Sequence, residues 1–171
     1  MSASHVSSRR LNRYWRRPDE GEALWLLGGL YTFKALGEET GNAYTLVEVV
    51  AEAGFAVPLH FHDEEEEGFY VVAGEVSFII GEQTVRTGAG SFAFVSRGVN
   101  HTFKFESPGS RLLLLLTPGP APQEALFREM GEPAKTHTIP PAPEGLPDLQ
   151  RLAEIAAKHG TKIVGPPPGG G

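Results

Sequence analysis

The residues best suited to chemistry lie in one short stretch, His60-Phe61-His62 followed by the acidic run Asp63 to Glu67. In an extended strand, side chains two apart project from the same face. His60 and His62 therefore point together, as two imidazoles sharing one metal ion must. The acidic run offers carboxylates at the entry to the next strand, and a neighbouring strand can bring one of them to the same point. His101, just before the apolar stretch Thr102–Phe105, is a third imidazole. Taken singly, a histidine in a β domain is usually a surface or hydrogen-bonded residue, and a run of acids a solvated turn. The combination reverses that reading. The histidine pair abuts Phe69-Tyr70-Val71-Val72, and burying such groups without a partner costs free energy. A shared divalent cation removes the penalty.

Strands must position these groups. The chain has 171 residues, 40% of them hydrophobic, enough for one domain with a core and too hydrophobic for a disordered chain. Its 21 glycines and 14 prolines, without a collagen period, point to many tight turns. From Ala23 to Thr117, short runs rich in Val, Phe, Tyr, Leu and Thr alternate with glycine-containing turns. Strands are expected at Leu24–Lys34, Ala43–Glu52, Phe69–Val72 and Val76–Ile80, then at Thr84–Arg86, Ser91–Val95, Thr102–Phe105 and Arg111–Leu116. Gly28 and Gly29, inside the first run, suggest a bulge or close backbone contact. The unbroken run Leu112–Leu116 reads as a strand buried on both faces, lying between the β body and another layer. Many short strands in one domain imply a sandwich or barrel, hence an all-β fold.

Beyond Thr117 the composition changes. Gln123–Met130, preceded by Pro122, reads as a short helix. Pro133, Pro140, Pro141, Pro143 and Pro147 mark an extended connection. Asp148–His159 reads as a second helix with Leu149, Leu152, Ile155 and Ala156 on one stripe and Gly160 as its stop. The N-terminal segment carries Arg9, Arg10, Arg13, Arg16 and Arg17 with Tyr14 and Trp15, and reads as a solvated basic tail whose aromatics dock on the body.

The absence of cysteine excludes disulfides, thiolate metal sites and cysteine nucleophiles. A net charge of −6 argues against nucleic acid as a partner. The aliphatic run Leu112–Leu116 is too short to cross a bilayer, and Met1 to Arg17 lacks the apolar core of a secretory signal. A cytoplasmic protein without membrane partners is the expectation. The exposed length of the first strand and the two-sided Leu112–Leu116 strand call for a covering partner, so a homodimer is expected.

The spacing resembles the two signature motifs of the cupin superfamily. The first reads Gly54, five residues, His60-x-His62, four residues, Glu67, six residues, Gly74. The second reads Gly90, five residues, Ser96-x-Gly98, two residues, His101, three residues, Phe105. Ser96 stands where the family has proline, and Phe105 where it has asparagine. The resemblance implies a cupin-type β-barrel of two antiparallel sheets in residues 23–118. Around it would lie an N-terminal arm (1–22), a helical, proline-rich appendage (119–165) and a terminal tail (166–171). It also implies one metal held by His60, His62, Glu67 and His101, with Glu66 as the competing carboxylate. Three imidazoles and one carboxylate suit Fe, Mn, Ni, Co, Cu or Zn without choosing among them.

The segment Gly21–Gly29, the turn containing Gly41, the gap before Glu67 and the ending Ala157-Lys158-His159-Gly160 onward are similar to bacterial single-cupin quercetinases. That likeness implies a dioxygenase cleaving a flavonol-like enolisable aromatic with O2, with Glu67 as the base that takes the substrate's hydroxyl proton. A non-catalytic metal- or ligand-binding cupin and a metal-dependent isomerase are the alternatives. If Glu67 and His101 face inward, alternation sends Phe69, Val71, Phe103 and Phe105 the same way, as the expected aromatic walls of a substrate pocket.

Overall fold

The structure, a computed structural model, describes residues 13–142 and 148–169. Arg9, Arg10, Pro143 and Pro147 lie outside the described residues. The chain runs through β1 (Ala23–Leu26), β2 (Gly29–Ala35), β3 (Thr45–Ala51), β4 (Leu59–His62), β5 (Glu66–Ala73) and β6 (Glu75–Ile80). It continues through β7 (Gln83–Gly88), β8 (Phe92–Val95), β9 (His101–Phe105) and β10 (Ser110–Thr117). Then come α1 (Pro122–Met130), β11 (Glu132–Pro133), α2 (Leu149–Lys158) and β12 (Thr161–Gly165).

The strands form two antiparallel sheets rather than one closed barrel. One has seven strands in the order β11-β1-β2-β3-β10-β5-β8, the other five in the order β12-β4-β9-β6-β7. Alternate residues of most strands face the space between the sheets, where Phe33, Val47, Val49, Phe69, Val71, Phe78, Phe105 and Leu112 are buried. Phe69 packs on Phe78 and Phe103 at 5.4 and 5.7 Å between ring centroids. Gly74, at φ 78°, makes the turn from β5 to β6. A Cβ there would stand 2.3 Å from Ser110 Oγ, so this position needs glycine for space as well as for backbone angle.

The first run is not one strand. Leu27 and Gly28 have φ of 53° and 90° and form a two-residue turn, with Leu26 paired to Gly29 across it. Positive φ at both central positions matches the right-handed twist of the flanking strands. The turn is hidden in the sequence because Leu27, no usual turn residue, occupies one of its two positions. β10 alternates too: Leu112, Leu114 and Leu116 are buried, while Leu113 and Leu115 lie half-buried on the sheet's outer face.

No strand is expected beyond Gly160, yet β12 pairs with the free edge of β4, setting Thr161 opposite His62 and Ile163 opposite His60. The alternation there spans only five residues, and the edge of β4 supplies the partner that makes it a strand. The N-terminal segment also departs from expectation. Arg16 donates to Glu39 and to the Lys34 carbonyl, but Trp15 is 83% exposed, so the ion pair and not the indole anchors this stretch. Among the described residues, no helix is long and apolar enough to cross a membrane.

The helix α1 starts with Pro122 at its first position, where a missing N–H costs nothing. The Asp148 carboxylate caps α2 by accepting from Arg151 N at 3.0 Å. Leu152 and Ala156 are buried and Ile155 packs against the core, but Leu149 is 60% exposed. The first turn of α2 overhangs the body, so the apolar stripe is shorter than the sequence suggests. Leu152→Ala should therefore lower unfolding free energy by about 2 kcal/mol. Leu149→Ala should change it by less than about 0.5 kcal/mol. Urea titration of both variants checks the contrast.

Candidate metal centre

β4, β9 and β5 carry the cluster. His60 and His62 lie two apart on β4, and His60 faces His101 of β9 in register. Glu67 comes from β5, in the opposite sheet. One donor atom from each of His60, His62, Glu67 and His101 can be chosen so that all four lie within 4.8 Å of one another. The three ring pairs have centroid separations of 4.3, 4.9 and 5.4 Å. His62, Glu67 and His101 are buried, and His60 is half-buried at the cavity edge.

Each imidazole is held by its Nδ1. His60 Nδ1 donates to the Pro58 carbonyl at 2.7 Å and His101 Nδ1 to the Val99 carbonyl at 2.8 Å. His62 Nδ1 lies 3.0 Å from Thr161 Oγ1. The carbonyl acceptors fix His60 and His101 with the proton on Nδ1, which leaves their Nε2 lone pairs facing inward. His101 Nε2 stands 2.5 Å from Glu67 Oε2, and His62 Nε2 stands 3.5 Å from the same oxygen. Lone pairs of imidazole and carboxylate converging at such distances demand a positive centre, either a proton or a cation. The donor set therefore fits a divalent transition metal, with three nitrogens and one oxygen.

The electrostatics agree with the geometry. Burial alone would raise the Glu67 carboxyl, but His62 and His101 outweigh it and hold it well below the usual carboxylate range. Burial, reinforced by the nearby His101, pushes His60 down to about 3, so its ring stays neutral. Burial pulls His62 down as well, but Glu67, Glu65 and Asp63 overcome it and the ring is raised.

The alternation of β5 separates the two competing carboxylates. Glu67 turns inward, whereas Glu66 turns to the outer side, 3.8 Å from Arg97. Beside the cavity, the walls differ from the expected set. Phe103 lines it, but Phe69, Val71 and Phe105 are core residues away from its lining. Same-face residues advance about 7 Å along a strand with each step of two. Val71 and Phe105 thus sit about 14 Å from the cluster end of their strands. The cavity opens at that end instead, and its walls come from the β1–β2 hairpin (Leu26, Leu27, Tyr31), from α1 (Leu126, Phe127) and from α2 (Leu152, Ala156).

Three further polar residues reach the cluster without being anticipated from sequence. Thr161 of β12 meets His62, as described. Gln123 of α1 is buried, its Nε2 2.7 Å from His62 Nε2 and 2.6 Å from Glu67 Oε1. Glu65 is also buried, with an oxygen 3.7 Å from His62 Nδ1, and accepts from the Gln123 backbone N–H at 3.1 Å. Burial pushes its carboxyl up to about 7. The only sequence signal for Glu65 was its place in the acidic run. Gln123 and Thr161 had none, because nothing local links them to His62.

A fold of two antiparallel sheets with a His-His-Glu-His cluster between them defines a class. Residues 46–117 match the cupin domain family model, and the two sheets have the cupin-type jelly-roll arrangement. The chain is similar to quercetin 2,3-dioxygenase of Bacillus subtilis, 25% identical over 138 residues, covering 81% of this chain and 40% of that protein. It is also similar to quercetin 2,3-dioxygenase of Aspergillus japonicus, 31% identical over 118 residues, covering 64% of this chain and 33% of that protein. The chain thus spans less than half the length of either relative. Among solved structures, an RmlC-like cupin from Shewanella frigidimarina superposes with a TM-score of 0.56 at 18% identity, covering 64% of this chain and 94% of that one. The nucleoside dehydratase Pac13 superposes with a TM-score of 0.54 at 18% identity, covering 73% and 93%. These likenesses establish the fold.

The placement of α1 depends on a second buried carboxylate. Glu124 accepts from Gly37 N at 2.8 Å and from the Thr45 hydroxyl. Glu124→Ala would leave both donors without this acceptor. It should destabilise the fold by about 2 kcal/mol, measured by chemical denaturation.

Proposed function

We propose that this protein is a metal-dependent dioxygenase that cleaves a flavonol-like, enolisable aromatic with O2. The observation that carries the reading is a His60/His62/Glu67/His101 cluster at the wall of an apolar cavity, in a chain similar to two quercetin 2,3-dioxygenases. His60, His62, Glu67 and His101 would hold one divalent transition metal, whose Lewis acidity would favour an anionic substrate oxygen. Glu67 is the base. Held ionised at neutral pH, it accepts the hydroxyl proton of the substrate and leaves an electron-rich enolate to meet O2.

The walls suit such a substrate. Phe103, Phe127, Leu26 and Leu126 offer flat and branched apolar surface. Tyr31 lines the same cavity, and burial, with the Glu67 carboxylate adding to it, holds its phenol protonated as a donor. No Lys or Arg lies among the described lining residues, which disfavours a sugar phosphate or other strongly anionic ligand.

Elemental analysis should find about one divalent metal per wild-type chain and essentially none in His62→Ala. With a flavonol panel, O2 uptake per bound metal should fall at least about 100-fold in Glu67→Gln and stay unchanged in Glu66→Gln. Equal rates for wild type and Glu67→Gln would remove Glu67 as the base. Wild-type protein that binds metal but consumes no O2 with any flavonol would overturn the dioxygenase reading.

The proposal extends to a second copy of the chain as partner. The outer face of the seven-stranded sheet exposes Tyr70, Val72, Phe92 and Phe94 beside the half-buried Leu113 and Leu115. A contiguous apolar sheet face of this kind is characteristic of an interface. Light scattering at micromolar concentration should report a dimer, and the double substitution Phe92→Asp, Phe94→Asp should shift it to monomer without loss of fold.

A further inference from the structure

Gln123 stands apart from the other residues of the cluster because a helix delivers it, from outside the matched residues 46–117. The residue is 3% exposed. Its Nε2 is 2.6 Å from Glu67 Oε1 and 2.7 Å from His62 Nε2. The chemistry of the acceptor fixes which way the amide points. An ionised carboxylate can only accept, so nitrogen and not oxygen must face Glu67. The backbone of the same residue is tied down as well, its N–H donating to Glu65 Oε1 at 3.1 Å.

This contact divides the two oxygens of Glu67. Oε2 faces the imidazoles, at 2.5 Å from His101 Nε2 and 3.5 Å from His62 Nε2. Oε1 faces Gln123. A carboxylate held only by its own side-chain torsions could rotate to present both oxygens to a cation. One whose second oxygen accepts a short hydrogen bond from a buried amide is denied that freedom. We propose that Gln123 is a positioning residue that pins Glu67 Oε1, so that Glu67 presents a single oxygen to a metal in the cluster. The inference rests on the reading of the cluster as a metal site. It adds that α1 is part of the metal centre and not merely a wall of the cavity.

Co2+ serves as the probe, because its visible absorption reports coordination number and geometry. Wild type and Gln123→Met, which keeps length but loses both N–H donors, are titrated with Co2+ at fixed pH. Gln123→Met should bind one Co2+ with affinity reduced about tenfold, the lower end for loss of a group hydrogen-bonded to a ligand. Its visible band should move as Glu67 becomes free to chelate. Gln123→Asn retains an amide one methylene shorter. It should show the same band shift, and it carries the test if the methionine variant does not fold.

In a Glu67→Gln background, Gln123→Met should change Co2+ affinity by less than twofold, because the group it acts through has been altered. A purely structural role would instead give additive losses. Overlapping Co2+ spectra and affinities for wild type and the Gln123 variants, or additivity in the cycle, would overturn the assignment while leaving the metal site standing. Failure of wild type to take up Co2+ would overturn the metal reading and this inference with it.

Discussion

The described fold is arranged around the convergence of four lone-pair-bearing side chains, three of them buried, between two sheets. Three imidazoles and a carboxylate repel or desolvate one another unless a positive centre joins them. Bringing them together therefore requires a scaffold that prevents escape. Each imidazole is fixed by the nitrogen that does not face the cluster, through Pro58, Val99 and Thr161. The carboxylate arrives from the facing sheet, so its approach is set by the packing of one sheet on the other, about 10 Å apart, rather than by a flexible loop. The apolar packing of Phe69, Phe78 and Phe103 beneath the cluster keeps that spacing.

The segment after β10 completes the site. The turn of α1 that carries Gln123 is held by two buried carboxylates. Glu65, from the loop before β5, accepts from the first turn of the helix, and Glu124 reaches back to Gly37 and Thr45. The Glu65 carboxyl satisfies a backbone N–H at the start of α1, where the helix itself offers no acceptor, while lying beside His62. Farther on, β12 closes the exposed edge of β4 and contributes Thr161. The C-terminal elements are thus structural supports for the donor set as much as walls of the cavity.

The cavity is asymmetric in its chemistry. Its polar groups gather on one side, where His60, His62, Glu67, Gln123 and Thr161 meet. Apart from Tyr31, its other sides are built from apolar residues of the first hairpin and the two helices. That division favours a ligand with one oxygen-bearing end and an extended apolar body. Such a ligand leaves water behind on entry, which strengthens each electrostatic contact at the cluster.

Features that depend on local spacing were legible before any folding. A period of two put His60 and His62 on one face, and the same period turns Glu67 inward and Glu66 outward once β5 begins at Glu66. Gly74 could be read as a turn because its requirement is set by the backbone at that residue. The pattern also gave most strands and both helices, since apolar periodicity is local. It failed at Leu27-Gly28, where an apolar residue sits in a turn, and at β12, which is a strand because β4 offers an edge. What surrounds the cluster was set by long-range packing. Gln123 meets His62 across 61 positions of chain, and Thr161 meets it across 99. No periodicity or motif spans such separations. The same holds for the cavity walls: strand alternation correctly turned Phe69, Val71 and Phe105 inward, but how far each lies along its strand from the cluster decided that they pack the core. Direction is a property of the local backbone, whereas depth and neighbourhood arise only when the sheets and helices pack.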